Sequence, residues 1–276
     1  MHWGTNRSLD FSCRTLVMGI VNATPDSFYP GSRRQATDEA VEAVRTMLAD
    51  GADIIDIGGE STRPGSDPVA LEQEIERVIP VIEAVREFSN VTISIDTRRA
   101  RVAEAALDVG ADIINDISAL RDDSGMGPLA AQRKCPVVLM HIRGTPQTMQ
   151  QSPHYQDAVA EVVEELAARV EVAQTHGIGR EKLIVDPGIG FGKRLEDNLL
   201  LLRHIRKIRD LGCPVLVGLS RKSFIDKLLN VPVGERLAAS LAAEAYTIMQ
   251  GAEIIRVHDV RESVHLVKML SAIGSA

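Results

Sequence analysis

Residues 51–59 read GADIIDIGG, and the chain uses almost the same stretch twice more, as GADIINDIS at 110–118 and GAEIIRVHD at 251–259. Each copy follows a segment with apolar residues at three- and four-residue spacing, the pattern of an amphipathic helix. The glycine that opens each copy suits the left-handed position at a helix C-terminus, and the Ile pair begins a buried strand. The repeated unit is therefore a helix, a short connection and a buried strand with a polar end.

Five further apolar stretches are predicted as strands, at residues 15–22, 91–97, 135–141, 182–188 and 213–220. Between the strands lie segments with helical periodicity, at residues 38–51, 70–88, 99–110, 157–177, 195–212 and 236–251. Buried strands that alternate with helices indicate a parallel sheet covered by helices. Eight such units in 276 residues favour an α/β single-domain (β/α)₈ TIM barrel over residues 1–276, with its core at about 15–270. An open doubly wound sheet is the alternative, but it does not require polar residues at nearly every strand end.

The composition is that of an ordinary globular protein, with 45% hydrophobic and 25% charged residues. The net charge of −7 provides no general footprint for nucleic acid or an anionic membrane, so any phosphate site must be local. We expect a cytoplasmic protein, since no secretory segment or membrane-spanning run is evident. Cys13, Cys135 and Cys213 lack metal-like spacing, and the latter two are predicted to be buried structural thiols.

The predicted strands end in polar residues that sort into two chemical groups. In a barrel of this kind the binding and catalytic groups lie at the C-terminal ends of the strands. Hydrogen-bond acceptors suited to the N–H edge of a flat heterocycle are Asp96, Asn115 and Asp186. Residues suited to an anion, or to the metal that accompanies it, are Asn22, Thr62, Arg63, Arg256 and His258. A site with both halves suits a heterocyclic phosphate ester.

For several polar residues the sequence does not decide between a structural and a functional role. Asp56 and Asp116 are as well explained by structural capping as by function, and His141 is better explained as a packed imidazole than as a ligand. The stretch GIGFGKR at 188–194 lacks the spacing of a phosphate-binding loop. Its glycines would instead allow the backbone to approach a planar ligand, with Phe191 as an apolar wall.

The stretch GLSRKSFIDKLL at 218–229 is predicted to end a strand and open a helix, with Ser220 as its N-cap. A helix N-terminus binds anions through its unpaired N–H groups. Lys222 is predicted to point inward as a further donor. The region could thus anchor a substrate carboxylate, although a plain helix cap explains the same residues.

Eight motifs in order resemble the dihydropteroate synthase family along essentially the whole chain. They are MGIVNATPDSF, GADIIDIGGESTRPG, ISIDT, GADIINDIS, LMHIRGTPQTMQ, IVDPGIGFGK, GLSRKSFI and IIRVHDV. The resemblance implies a transferase that joins 6-hydroxymethyl-7,8-dihydropterin pyrophosphate to 4-aminobenzoate, with Mg²⁺, releasing pyrophosphate and 7,8-dihydropteroate. It also implies a homodimer and competition by sulfonamides at the aminobenzoate site.

The resemblance assigns a role to each candidate residue. Asn22 would contact the metal, and Ser223 would receive the aminobenzoate carboxylate. The pterin would be held by Asp96, Asn115, Asp186 and Lys222, and the pyrophosphate by Thr62, Arg63, Arg256 and His258. The residues expected to act in catalysis are Asp96, Lys222, Arg256 and His258. On this basis we expect Arg256→Ala to reduce turnover far more than it alters folding.

The sequence departs from the family pattern at one place, where Tyr29, Pro30, Gly31 and Ser32 follow the SF of the first loop instead of Asp-Gly-Gly. This departure leaves open the conformation of that loop. Two other functions remain as alternatives: a pterin-binding methyltransferase domain of the methyltetrahydrofolate type, and a paralogue that binds pterin without catalysis. The anion-binding residues in STRPG, SRKS and RVHD count against both.

Overall fold

The computed structural model describes residues 1–3, 7–23, 30–61, 65–66 and 69–276, with residues 7 and 30–33 described by their backbone alone. The strands of this part are β1 His2–Trp3, β2 Arg7–Ser8, β3 Leu16–Asn22, β4 Ile54–Gly58, β5 Thr92–Asp96, β6 Ile113–Asp116, β7 Val137–Met140, β8 Leu183–Asp186, β9 Leu216–Gly218 and β10 Ile254–Val257. The helices are α1 Pro30–Asp50, α2 Leu71–Phe88, α3 Ala100–Asp108, α4 Met126–Arg133, α5 Ala158–Thr175, α6 Leu195–Arg203, α7 Ile205–Arg209, α8 Ser223–Leu229, α9 Leu237–Met249 and α10 Val260–Gly274. Single 3-10 turns occupy Arg180–Lys182 and Val233–Glu235.

Strands β3 to β10 form one parallel sheet of eight, in the order β8-β7-β6-β5-β4-β3-β10-β9. The two ends of this series meet, because Val185 of β8 forms a parallel bridge to Val215 at the start of the β9 segment. Val185 N also donates to the Pro214 carbonyl at 2.9 Å. The sheet therefore closes into a (β/α)₈ barrel, and the predicted fold class is confirmed.

Alternate residues of each strand face opposite sides of the barrel wall, since side chains in a strand point to opposite faces in turn. In β4, Ile54 belongs to the apolar cluster inside the barrel, Ile55 and Ile57 pack outward in the cluster shared with the helices, and Asp56 again lies inside. The lower interior layer is mainly apolar and consists of Leu16, Met18, Ile54, Ile113, Val138, Ile184, Leu216 and Ile254, whereas β5 contributes the polar residues Thr92 and Ser94. The interior thus changes from apolar to polar between successive inward positions.

The three repeated glycines behave as the sequence indicates. Gly51, Gly110 and Gly251 have φ angles of 99°, 109° and 102°, which are left-handed values that favour glycine. Each ends a helix and turns the chain into the next strand. The prediction of a helix, a glycine and a buried strand is therefore confirmed in all three copies.

Some elements differ from their predictions. The predicted helix at 195–212 is divided at His204, where φ is −118° and ψ is 27° and the ring Nδ1 lies 2.8 Å from the Leu200 carbonyl oxygen. The hairpin of β1 and β2 was not predicted, because a two-residue strand has no recognisable period. The short helix α4 was also not predicted. Within the described ranges, none of the helices combines the length and apolar character needed to cross a membrane.

The N-terminal hairpin closes the lower end of the barrel. Trp3 and Leu9 are buried against the lower interior layer, with Met1 and Phe11 packed beside them. The indole Nε1 of Trp3 donates to Asp112 Oδ1 at 3.4 Å. The hairpin therefore covers apolar side chains that would otherwise face water at the open bottom of the barrel.

We expect Trp3→Ala to lower the free energy of unfolding by about 3 kcal/mol, because it removes a large buried side chain and leaves a cavity beneath the barrel. Urea unfolding monitored by circular dichroism would measure the change. Glu83→Ala, on the exposed face of α2, is the control and should change stability by less than about 0.5 kcal/mol. Equal stability of the Trp3 variant and the parent would show that the hairpin contributes little to the barrel.

Candidate active site

Four polar side chains meet inside the upper end of the barrel, and we refer to Asp56, Asp96, Asn115 and Arg256 as the mouth cluster. Arg256 donates from Nε to Asp56 Oδ2 at 2.6 Å and from Nη2 to Asp96 Oδ2 at 2.7 Å. Asn115 Nδ2 donates to the same Asp56 oxygen at 3.1 Å. Asp56, Asn115 and Arg256, which occupy the same place in the three copies of the sequence repeat, are thus joined by hydrogen bonds to the Asp56 carboxylate.

The mouth cluster is largely shielded from water. Asp56 is fully buried, and Asp96 and Asn115 are nearly so. Burial raises the pKa of Asp96 to about 7; the charge of Arg256 opposes this shift and that of Asp56 adds to it. A carboxylate with this pKa changes its protonation near neutral pH.

Asp186 and Lys222 lie beside the mouth cluster. A Cβ atom added to Gly218 would lie 3.8 Å from both Arg256 Cβ and Lys222 Nζ, so both side chains lie against Gly218. Burial raises the pKa of Asp186, and the charge of Lys222 lowers it. Burial lowers the pKa of Lys222 to about 8, and Asp186 opposes that shift. The three predicted acceptor residues therefore share one region with Arg256 and Lys222.

Phe191 forms a wall beneath Lys222. The Lys222 Nζ atom lies 4.6 Å from the centre of the Phe191 ring and donates to the Ile189 carbonyl. An ammonium over an aromatic face is attracted by the ring's electron density. Phe191 packs against a small buried apolar cluster of Ile117, Met140, Ile142 and Met149. This region combines an apolar floor with convergent polar groups, which is the usual character of a small-molecule site.

His258 and Ser223 lie near the same end of the barrel. His258 Nδ1 is 3.2 Å from Ser220 Oγ, which also accepts from the His258 backbone N–H at 3.3 Å. Helix α8 begins at Ser223, whose side chain is exposed, and Lys222 rather than Ser220 occupies the N-cap position. The prediction of Ser220 as N-cap is wrong, because its hydroxyl is engaged with His258.

The remaining predicted residues lie at the edge of this region or outside the described part. Asn22 is exposed at the last position of β3, the C-terminal end of the strand, paired in register with Gly58. Thr62 and Arg63, predicted to bind the pyrophosphate, lie outside the described residues, as do residues 24–29 of the first loop. Within the described residues, no group of three or more His, Cys, Asp or Glu side chains is placed to hold a metal ion.

Asp116 and His141 have structural roles. Asp116 is buried and accepts from the backbone N–H groups of Ser118 and Leu120 at 2.7 and 2.8 Å, so it fixes the loop after β6. Ala119 and Leu120 in that loop have φ angles of 51° and 64°. His141 is 3% exposed, and its two ring nitrogens lie 2.9 Å from Lys193 Nζ and 3.0 Å from Glu165 Oε2. This confirms its interpretation as a packed imidazole.

The two cysteines at the starts of apolar runs are buried as predicted. Cys135 and Cys213 are 4% and 3% exposed, whereas Cys13 is exposed. Burial raises the pKa of Cys135 to about 11, which disfavours a reactive thiolate at neutral pH.

Two of the glycines in GIGFGKR are explained by contacts within the protein. A Cβ at Gly188 would lie 1.9 Å from the His141 carbonyl oxygen, and one at Gly192 would lie 2.3 Å from that of Arg143. Both residues have φ angles of 64°. They therefore allow the loop after β8 to press against the end of β7. The expected approach of this backbone to a ligand is not required to explain them.

Sequence reasoning did not assign the residues that hold the start of the loop after β4, which is the second loop at the barrel mouth and includes Thr62 and Arg63. Glu60 accepts from Arg98 Nη2 at 3.0 Å and from the Val69 backbone N–H at 3.2 Å. The buried Glu74 accepts from Thr97 Oγ1 at 2.6 Å and from Arg99 Nη1 at 2.9 Å. The adjacent basic pair at 98–99 directly after a strand was the available signal.

A closed barrel with polar side chains at the C-terminal ends of its strands is typical of barrel enzymes, whose active sites lie at that end. Comparison with known families supports a narrower assignment, since the family model for "Pterin binding enzyme" matches residues 18–258.

Individual relatives agree with the family match. The dihydropteroate synthase of Synechocystis sp. is 47% identical over 265 residues, covering 96% of this chain and 92% of the relative. The crystal structure of the Yersinia pestis dihydropteroate synthase with a sulfonamide drug complex superposes with a TM-score of 0.93 at 43% identity, covering 100% of both chains. The Xanthomonas albilineans dihydropteroate synthase with 4-aminobenzoic acid gives a TM-score of 0.90 at 42% identity, covering 97% of this chain and 96% of the other. The chain belongs to the pterin binding enzyme family and, within it, to the dihydropteroate synthases, which are transferases.

The ion pairs of the mouth cluster change the expectation for Arg256→Ala. Without the guanidinium, Asp56 and Asp96 would be buried carboxylates with no cation between them, and only Asn115 would still donate to Asp56. We expect a loss of about 3 kcal/mol in the free energy of unfolding at neutral pH. Without Arg256 the folded-state pKa of Asp96 rises further above its unfolded value, so the loss should shrink as the pH falls and the carboxylates become protonated.

Urea unfolding of the parent and Arg256→Ala at pH values of about 5 and 7.5 would measure this effect. Arg256→Lys, which keeps the positive charge, is the matched control and should retain most of the stability. An alanine variant as stable as the parent at both pH values would show that the ion pairs have no net effect on folding.

Proposed function

We propose that this protein condenses 6-hydroxymethyl-7,8-dihydropterin pyrophosphate with 4-aminobenzoate to give 7,8-dihydropteroate and pyrophosphate, a step of folate biosynthesis. The observation that carries the proposal is the meeting of Asp96, Asn115 and Asp186 with Arg256 and Lys222 at one barrel mouth. Acceptors for a nitrogen-rich ring thus lie beside cations for a leaving group. Full-length similarity to dihydropteroate synthases, including structures with a sulfonamide and with 4-aminobenzoic acid, supports the same reaction.

The pterin ring would be held by Asp96, Asn115, Asp186 and Lys222, with Phe191 as an apolar wall. Asp56 joins this proposed group. Its Oδ1 atom is buried and has no hydrogen-bond partner among the described residues, whereas Oδ2 receives both Arg256 and Asn115. A buried acceptor without a partner is costly. An N–H group of a bound heterocycle would satisfy it.

The carbon–oxygen bond to the pyrophosphate would break first, leaving a methylene cation delocalised over the pterin. Arg256 and His258 would stabilise the departing anion, together with Thr62 and Arg63 of the second loop. Asp96 and Asp186 would stabilise the cation and orient it. The neutral amine of 4-aminobenzoate would then form the new carbon–nitrogen bond and release a proton, and Ser223 at the start of α8 would receive its carboxylate.

We also propose Mg²⁺ as the cofactor, held by Asn22. An amide oxygen at an exposed strand end fits this ion, because Mg²⁺ in phosphate sites uses one or two protein oxygens together with substrate phosphates and water. When bound, the ion would neutralise charge on the pyrophosphate. Asn22 lies on the edge of the mouth, with Gly58 between it and Asp96 in the strand register.

A homodimer is proposed from the distribution of exposed apolar side chains. Within the described residues, every large apolar side chain that is exposed lies between positions 199 and 273. Helices α9 and α10 contribute Tyr246, Met249, Met269 and Ile273. Because α9 and α10 pack against each other, their exposed apolar side chains lie on neighbouring elements, and contiguous apolar surface is typical of protein interfaces. A cytoplasmic location is proposed from the three free thiols, which a reducing compartment maintains.

We expect purified protein to release pyrophosphate from the pterin substrate only when 4-aminobenzoate and Mg²⁺ are supplied, and a sulfonamide to raise the KM for 4-aminobenzoate. A coupled pyrophosphate assay would measure both effects. Pterin binding without pyrophosphate release would indicate a non-catalytic paralogue. Transfer of a methyl group from a reduced folate would indicate the methyltransferase alternative.

The pKa values of the mouth residues predict a bell-shaped dependence of kcat/KM on pH. Below about pH 7 Asp96 becomes protonated and loses its ability to accept from both substrate and Arg256, and above about pH 8 Lys222 loses its charge. Steady-state assays from about pH 5.5 to 9.5 would define both limbs. Lys222→Arg should move the alkaline limb upward, since a guanidinium stays charged. A flat profile across this range would contradict the proposed roles.

A further inference from the structure

Lys193 is the largest fully buried side chain of the described residues, with 1% of its surface exposed. Its ammonium donates to the carbonyl oxygens of Gly188 at 2.9 Å and Phe191 at 3.0 Å, and to His141 Nδ1 at 2.9 Å. The His141 carbonyl oxygen lies at 3.3 Å. Each N–H of the ammonium therefore has an acceptor, and the acceptors come from the segments that follow two neighbouring strands, β7 and β8.

The hydrogen bond from Lys193 fixes the state of His141. In its charged form Lys193 only donates, so Nδ1 of His141 accepts and the ring proton lies on Nε2, which donates to Glu165 Oε2 of α5 at 3.0 Å. Burial and the charge of Lys193 lower the pKa of His141 to about 4, so the ring is neutral at physiological pH. Lys193 and Glu165 together hold the imidazole in one orientation against the loop after β8.

This loop carries the backbone groups that orient two residues of the proposed pterin site. The Gly188 N–H donates to Asp186 Oδ1 at 2.7 Å. The Ile189 carbonyl accepts from Lys222 Nζ, and the Phe191 ring lies beneath the same ammonium. The segment 188–191 therefore contacts both Asp186 and Lys222. Its first and last residues, Gly188 and Phe191, are the ones whose carbonyl oxygens accept from Lys193.

We propose that Lys193 is a positioning residue for the pterin pocket: by drawing the Gly188 and Phe191 carbonyls onto one buried ammonium, it sets the loop that aims Asp186 and Lys222 at the substrate. This inference rests on the proposed function. Lys193 does not itself reach the mouth cluster through any hydrogen bond among the described residues, so its effect passes through the loop. Gly188 and Gly192, which allow the loop to approach β7, provide the backbone shape that this arrangement needs.

For a purely structural role, a lysine at this position would carry a desolvation cost that an apolar side chain avoids. Burial lowers the pKa of Lys193 to about 7, with Lys222 and Arg143 adding to the effect and Asp186 and Glu165 opposing it. An apolar side chain of similar length would fill the same space without that desolvation. What it would not provide is a shared donor for carbonyls that must converge.

Lys193→Met provides the test, because methionine keeps most of the volume and removes the donor. We expect its KM for the pterin substrate, and the Kd for the pterin alone, to rise roughly 10-fold to 100-fold, since small displacements of binding groups have effects of this size. The KM for 4-aminobenzoate should change much less. Combining Lys193→Met with Lys222→Ala should give less than the product of the two single effects, because both act through one contact.

Trp3→Ala is the matched control for stability, since it lies at the opposite end of the barrel. Assayed well below its unfolding temperature, it should have the parent KM values, even though it also unfolds more easily. If Lys193→Met does not fold, Lys193→Gln replaces it: its neutral amide has only two N–H groups and cannot serve all the acceptors of the ammonium, so the KM and Kd for the pterin should still rise, by a smaller factor. Parent KM and Kd values in a folded Lys193 variant would overturn this inference, whereas a parent enzyme without pyrophosphate release would overturn the proposed function instead.

Discussion

The upper half of the barrel depends on one guanidinium held between two buried carboxylates. Arg256 reaches across the mouth from β10 to Asp56 on β4 and Asp96 on β5. Two carboxylates placed this close would repel each other and pay a large desolvation cost if no cation lay between them. The same arrangement is what gives the site its chemistry, since it brings together an anion-binding group and ring-binding acceptors in a partly dry environment.

A second set of buried polar groups supports the mouth from behind. Lys193 draws together the ends of β7 and β8, and Asp116 fixes the loop after β6 through backbone N–H groups. Glu60 and Glu74, with the arginines at 98–99, hold the start of the second loop to β5 and α2. These contacts are buried or half-buried, so each reduces the number of positions that its loop can adopt. The described parts of the loops after β4, β6 and β8 are therefore anchored to the barrel.

The polarity of the barrel interior changes along the barrel axis. The lower interior is closed by Ile, Leu, Val and Met side chains and by the N-terminal hairpin, which supplies Trp3. The upper interior is polar, and its cost in stability is offset by the apolar layers below and around it. A change at the lower end is expected to alter stability with little effect on the mouth, whereas a change in the mouth cluster alters both.

The sequence by itself determined the eight strands, the class of fold and most of the candidate residues, because buried strands, amphipathic helices and left-handed glycines each have a local signature. It also placed Asp96, Asn115, Asp186 and Arg256 at strand ends, which in a parallel barrel share one face. Only the tertiary structure decided how they pair: that Asp56 accepts from Arg256 and Asn115, that Ser220 engages His258 instead of capping α8, and that Lys193 is buried against His141. These are contacts between residues far apart in the chain, whose distances and burial depend on closure of the barrel and leave no periodic trace in the sequence.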